Sequence, residues 1–290
     1  MKLSMPTEML RIRFGDVKSI EIIAEAGFDA YDYSMFCMQN ENDILNMDDY
    51  KSHIEKLKET AKKCGISCNQ AHAPFPSSKD DETYNKIIFD KILRSIEIAG
   101  ALGAKCIIVH PKQHLKYMYN KEALYEMNME FYNSLIPYAK NAGAKIAIEN
   151  MFGWDANREV ICDSVCSHAE EFCRYADDLN SPWITVCLDI GHCAVVGDDP
   201  ANMIFKLGNR IEALHVHDNR YKNDDHMIPY AGKLDWHSIT SALAKVGYSG
   251  DFTFETDNFY NSMDDSFIPT ATRFLHDTGR HLISLIGKGL

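Results

Sequence analysis

AGFDAYDYS (26–34), CGISCNQAH (64–72), LGAKCIIVH (102–110) and AGAKIAIEN (142–150) are four versions of one pattern, and VGYSGDFTFE (246–255) is a fifth. Each sets a glycine behind a helical stretch and a short apolar run after it. Gly27, Gly65, Gly103 and Gly143 stand 38, 38 and 40 residues apart. A glycine at the end of a helix is the usual left-handed stop, and a continuous apolar run reads as a strand buried on both faces. One helix and one strand every 40 or so residues is a βα repeat.

The segments between fit. Apolar residues recur at i, i+3 and i+4 over 16–26, 47–64, 83–102, 122–142, 164–179, 200–207, 236–246 and 266–286, predicting eight helices. Asp81, Asp163, Asp199 and Asp235 stand as caps before four of them. WITVCLDIGH (183–192) and IEALHVHDN (211–219) read as two further strands, and a weaker one lies near Lys2–Met5. Eight strands with crossover helices predict an α/β chain folded as a single (β/α)8 TIM barrel over residues 1–290. An open doubly wound sheet is the alternative.

Composition narrows the function. The chain carries 30 basic and 42 acidic residues, a formal charge of −12, with 46% hydrophobic and 25% charged side chains. Such a chain is neither disordered nor a disulfide scaffold. The acidic balance argues against nucleic acid or an anionic membrane as partner, since both need a basic face. No apolar run approaches the roughly 18 residues of a membrane span, and the N-terminus lacks a signal core. Nine scattered cysteines without a CxxC pair point to reduced thiols and a cytoplasmic setting; Cys162 and Cys166 have the spacing of helix neighbours, with no second pair to complete a zinc cage.

In such a barrel the C-terminal strand ends form the reactive face. Here they carry His72, His110, Glu149, Asp189 with His192, His215 with His217 and Asp218, and Glu255. One such residue is an ordinary loop residue. Six strands ending this way converge on one mouth, where unpaired carboxylates and imidazoles would be costly. A divalent cation removes that cost. Ligation by His, Glu and Asp without thiolate fits zinc, manganese, cobalt or magnesium.

AHAPF (71–75), VHP (109–111), IEN (148–150), LDIGH (188–192), LHVHDN (214–219), DDH (224–226), LDW (234–236) and FETD (254–257) together resemble the xylose-isomerase-like TIM barrels. That superfamily holds sugar isomerases and epimerases and the endonuclease IV group. In the ketose-epimerase branch the resemblance implies one metal held by Glu149, Asp189, His215 and Glu255. The two glutamates would also be acid and base, with His192 on the substrate. In the endonuclease IV branch it implies a zinc cluster, whose nine ligands match His72, His110, Glu149, Asp189, His192, His215, Asp224, His226 and Glu255. Pro229-Tyr230-Ala231-Gly232 departs from the family's Pro-Gly-x-Gly turn.

Epimerisation removes a proton beside a carbonyl and returns one to the opposite face, which two carboxylates can do while a metal stabilises the enediolate. His192, His217 and Arg220 are then candidates for holding hydroxyls. In the loop 151–160, Trp154 is a candidate apolar wall and Arg158 a candidate phosphate or hydroxyl contact. Packing is an equal reading for Trp154, pairing with Asp155, Glu159 or Asp163 one for Arg158, and a ligand-orienting role one for His217. His53, His114, His168, His237, His276 and His281 read as surface or packing histidines. The expected partner is a small sugar or sugar phosphate, on a monomer or homodimer. The rival is an endonuclease IV-like multi-zinc phosphodiester hydrolase, against which stand rim loops poor in Lys and Arg, apart from PKQHLKYMYNK (111–121).

Overall fold

In a computed structural model describing residues 1–288, eight parallel strands close into a ring. They are β1 (Leu3–Ser4), β2 (Ala30–Ser34), β3 (Ser67–His72), β4 (Cys106–Ile108), β5 (Lys145–Glu149), β8 (Ile184–Asp189), β9 (Ile211–His215) and β10 (Phe252–Thr253). β2-β3-β4-β5-β8-β9 form one ladder and β1-β10 a second. Single bridges, Pro6 to Asp32 and Val216 to Phe254, join the two and complete the barrel. The expected (β/α)8 fold is present; residues 289–290 of the expected domain lie outside the described residues.

The repeat is built as its glycines predict. Gly65, Gly103 and Gly143 adopt φ of 69°, 82° and 74°, ending α3 (Tyr50–Cys64), α4 (Glu82–Leu102) and α5 (Tyr117–Ala142). Between helices and strands lies a continuous apolar shell. A smaller cluster of Cys106, Ile108, Ala147, Cys187 and Ala213 forms on β4, β5, β8 and β9. Four of these side chains are small, and Ile108 is the one bulky branched residue among them.

Five expectations need correction. An unforeseen helix, α1 (Glu8–Phe14), precedes α2 (Asp16–Glu25), with Gly15 at φ 77° between them. The loop 151–160 is not a loop but the start of an antiparallel hairpin, β6 (Phe152–Asp155) with β7 (Val160–Asp163). It displaces the start of the next helix from 164 to α6 (Ala169–Leu179). Cys162 therefore lies on β7 and Cys166 takes φ 60°, so the two are not helix neighbours. β4 stops at Ile108, leaving His110 just past the strand. After β8 come α7 (Ile190–Val195) and α8 (Pro200–Leu207), and after β9 come α9 (Trp236–Lys245) and, past β10, α10 (Ile268–Lys288). Among the described residues no helix is long and apolar enough to cross a membrane.

Candidate active site

Each parallel strand delivers its last residues to one end of the barrel, and here those residues are polar and buried. Asp32, His72, Glu149, Asp189, His192, His215, His217 and Glu255 are at most 6% exposed. Isolated, such groups would each destabilise the fold, so their mutual arrangement is the informative quantity.

They fall into three groups whose ligand atoms lie within 4.8 Å of one another: Glu149, Asp189, His215 and Glu255; Asp32, His72 and His215; and His192, His217, Asp224 and His226. The first is the four-residue set implied for one metal. The third brings together three further expected ligands with His217. His110 belongs to no group, although its Nε2 approaches Glu149 Oε2 at 3.0 Å.

The histidines are oriented from behind. His72 Nδ1 lies 3.0 Å from Asp32 Oδ1, whose other oxygen accepts from Gln70 Nε2 at 2.8 Å. His192 Nδ1 donates to the Asn150 carbonyl at 2.9 Å, and His226 Nδ1 to that of Glu255 at 2.8 Å. One ring nitrogen tied to an oxygen leaves the other free to ligate. His72 Nε2, His215 Nε2, His217 Nδ1, His110 Nδ1, Glu255 Oε2 and Asp224 Oδ1 are shielded from solvent and make no hydrogen bond. Buried polar atoms left this way need an explanation. A divalent ion among them supplies one, and the oxygen–nitrogen donor set fits it.

Charge tells the same story. Burial works to raise the Glu149 carboxyl, yet His215 and His110 hold it well below the usual carboxylate range. Burial likewise opposes the charged form of Glu255, but His215, His72 and His226 hold its carboxyl low. Asp224 is held low against burial by His192 and His226. In return burial works to lower His226, while Asp224 and Glu255 push it up to about 10. These buried carboxylates demand positive charge, which protonated imidazoles supply without a metal and a bound cation would supply with neutral ones.

Backbone geometry makes the site possible. A Cβ on Gly191 would stand 1.9 Å from His217 Cε1, so the Gly of LDIGH is what admits the second histidine. His217 Nε2 reaches Asp189 at 3.1 Å, and its ring stacks on His226 at 4.2 Å and 1°. Asp218 holds the seventh loop by accepting from the backbone of Tyr230, Lys233 and Leu234 and from Trp236 Nε1. Tyr230 takes φ 75°, in the left-handed region that favours glycine.

Of the other expected contacts, Trp154 is 57% exposed and two positions from Phe152, whose ring meets His192 at 4.9 Å. Alternation puts both on one face of β6. Arg158 and Arg220 are exposed, and neither guanidinium is paired among the described residues. The six histidines read as packing or surface residues take no part in the three groups. Sequence reasoning missed Asp32, Gln70 and Asn150. Asn150 had been quoted within IEN, and here its amide bonds both N–H and C=O of Asp189, at 2.8 and 2.9 Å. Only the ladder brings Asp32 and Gln70 beside His72.

The family model of the xylose isomerase-like TIM barrel matches residues 20–275. An uncharacterized Sinorhizobium fredii protein is 30% identical over 164 residues, 56% of this chain and 50% of its own length. An uncharacterized Methanocaldococcus jannaschii protein is 27% identical over 84% of this chain and 80% of its own. A fructoselysine 3-epimerase of Shigella flexneri is 24% identical over 64% and 65%. The chain thus spans half of the first relative, four fifths of the second and just under two thirds of the third. In fold it is similar to a D-tagatose 3-epimerase-like protein (TM-score 0.75, 21% identity, 99% of each chain). A D-psicose 3-epimerase is similar too (TM-score 0.76, 18% identity, 98% and 99%).

Proposed function

Because the chain belongs to the xylose isomerase-like TIM barrel family, we propose that it is a divalent-metal-dependent isomerase or epimerase of a sugar or sugar phosphate. The observation that carries this reading is the pair Glu149 and Glu255, both buried in one four-residue group whose ligand atoms lie within 4.8 Å of one another. The relatives whose names state an activity, a fructoselysine 3-epimerase among them, support it.

Glu149, Asp189, His215 and Glu255 would hold the ion, which when bound supplies Lewis acidity toward the oxygens of a ketose. One glutamate takes the proton from the carbon beside the carbonyl, and the other returns one from the opposite face. Asn150 fixes Asp189 through its backbone, and Asp32 fixes the His72 ring. His192 and His217 would meet substrate hydroxyls, Phe152 and Trp154 would cover them, and Arg220 and Arg158 would complete the rim. Nine free cysteines support a reducing, cytoplasmic setting. One domain acting as a monomer or homodimer belongs to the same proposal.

The second group, His192, His217, Asp224 and His226, favours one rival: a multi-zinc phosphodiester hydrolase with His72 and His110 as further ligands. Against it, two of the three lysines of the fourth loop are held over aromatic rings of α5. Lys112 Nζ sits 4.9 Å from the Phe131 ring centroid and Lys121 Nζ 4.8 Å from that of Tyr117. Elemental analysis of the purified protein decides, followed by a turnover screen. One manganese, cobalt or magnesium ion per chain with ketose epimerisation is expected. Two or three zinc ions with cleavage of abasic-site DNA would replace this reading with the hydrolase, and no bound metal would overturn both.

A further inference from the structure

The two halves of the barrel differ in what their strands bury. β4, β5, β8 and β9 bring together the apolar cluster of Cys106, Ile108, Ala147, Cys187 and Ala213. β1, β2, β3 and β10 instead contribute Ser4, Asp32, Gln70 and Thr253, none more than 2% exposed. A barrel interior is ordinarily filled by apolar side chains, and polar groups buried there must satisfy one another.

Register sets the pairs. Ser4 is the ladder partner of Thr253, and Asp32 that of Gln70. Ser4 Oγ lies 2.7 Å from Thr253 Oγ1, which donates to Gln70 Oε1 at 3.1 Å, and Gln70 Nε2 donates to Asp32 Oδ2 at 2.8 Å. β3 and β10 are not neighbours in the ring, so the Thr253–Gln70 bond crosses the interior.

The protons of this chain point one way. A hydroxyl has a single proton to give, and Thr253 gives it to Gln70, so Ser4 donates to Thr253. Asn69 Nδ2 donates to the same oxygen at 3.3 Å. With its carbonyl filled, Gln70 turns its N–H groups on Asp32. An ionised carboxylate only accepts, so His72 Nδ1, 3.0 Å from Asp32 Oδ1, carries the proton of that bond. Nε2 is the nitrogen left to the mouth, 3.4 Å from Glu255 Oε1, and the His72 ring stacks on His215 at 4.5 Å and 18°.

We infer that Thr253 and Gln70 are positioning residues, which fix the direction of these hydrogen bonds, hold Asp32 as an acceptor and thereby keep His72 Nε2 turned on Glu255. The inference rests on the epimerase reading, in which Glu255 moves a proton, and adds to it two residues outside all three ligand groups. A buried chain of this kind acts as a unit, so breaking any one link releases the far end.

The test joins NMR of the full chain, labelled with 15N-histidine and assigned with His72→Asn, to steady-state kinetics on ketoses and ketose phosphates. The His72 Nδ1 proton is expected downfield and slow to exchange in both metal-free and zinc-loaded protein. Thr253→Val and Gln70→Leu should each speed its exchange at least about tenfold, and Thr253→Ser should restore the slow rate. In the manganese-loaded protein each of the first two should lower kcat about tenfold with KM changed less than about twofold. The double variant should be no worse than Gln70→Leu alone, since both act through one chain. Unchanged exchange in both variants, additive losses, no rescue by serine, or faster exchange with kcat intact would each overturn the positioning role. Faster exchange in a protein that turns over no ketose upholds the chain's hold on His72 and sinks the epimerase reading; turnover with unchanged exchange does the reverse.

Discussion

At the scale of single residues, Gly191 shows how a backbone position serves chemistry. Gly191→Ala must displace His217, because the added methyl would overlap its ring. We expect a cost of about 1–3 kcal/mol and a lower metal content, read by denaturant melts and elemental analysis. Unaltered stability and metal content would show that His217 moves without consequence. Glu149→Gln and Glu255→Gln each remove one proton-transfer group and one proposed ligand. Each should lower kcat at least about 100-fold with some loss of metal affinity; full activity in either variant rejects the two-carboxylate mechanism. Glu149 and Glu255 were legible in sequence because each ends an apolar run. Asp32 was not, since AYDYS shows a lone acid in a buried strand and only the β2–β3 pairing sets it against His72.

Among the elements, α1 and α2 are joined by a buried ionic knot. Asp16 opens α2 and accepts from Arg11 Nε of α1 at 2.7 Å and from Tyr33 of β2 at 3.2 Å, and lies 2.9 Å from His53 Nε2 of α3. Burial works to raise its carboxyl, but His53 and Arg11 lower it below the ordinary value. A carboxyl lowered on folding stabilises above the unfolded pKa of about 3.9 and loses that contribution as pH falls through the folded value. Asp16→Asn should therefore cost about 2 kcal/mol at pH 7. The gap between variant and parent should close below about pH 4. A pH-independent difference in denaturant midpoints would refute the assignment. The helix periods were readable, and α8 falls where they place it. The β6–β7 hairpin was not, because Gly153, Asn157 and the charges around them read as loop until Phe152 packs against His192.

For the whole molecule, closure of the ring concentrates buried carboxylates and imidazoles at one end, where a cation couples site to stability. An ion at about 100 times its Kd adds about 2.7 kcal/mol. Chelation should then lower Tm by roughly 4–5 °C, reversibly on adding manganese or zinc. A melting curve indifferent to chelator and metal would argue that protonated histidines alone balance these carboxylates.

By itself the sequence determined the βα repeat, the closed-barrel expectation and the strand-end chemistry, because periodicity, glycine stops and apolar runs are local properties of the chain. Tertiary structure alone decided the rest. It split the candidate ligands into three groups, left His110 outside them, and added Asp32, Gln70 and Asn150. The added residues are joined across the chain: Asp32 and Gln70 are 38 positions apart, Asn150 and Asp189 39. Strand register and loop packing fix them, and no local pattern encodes either.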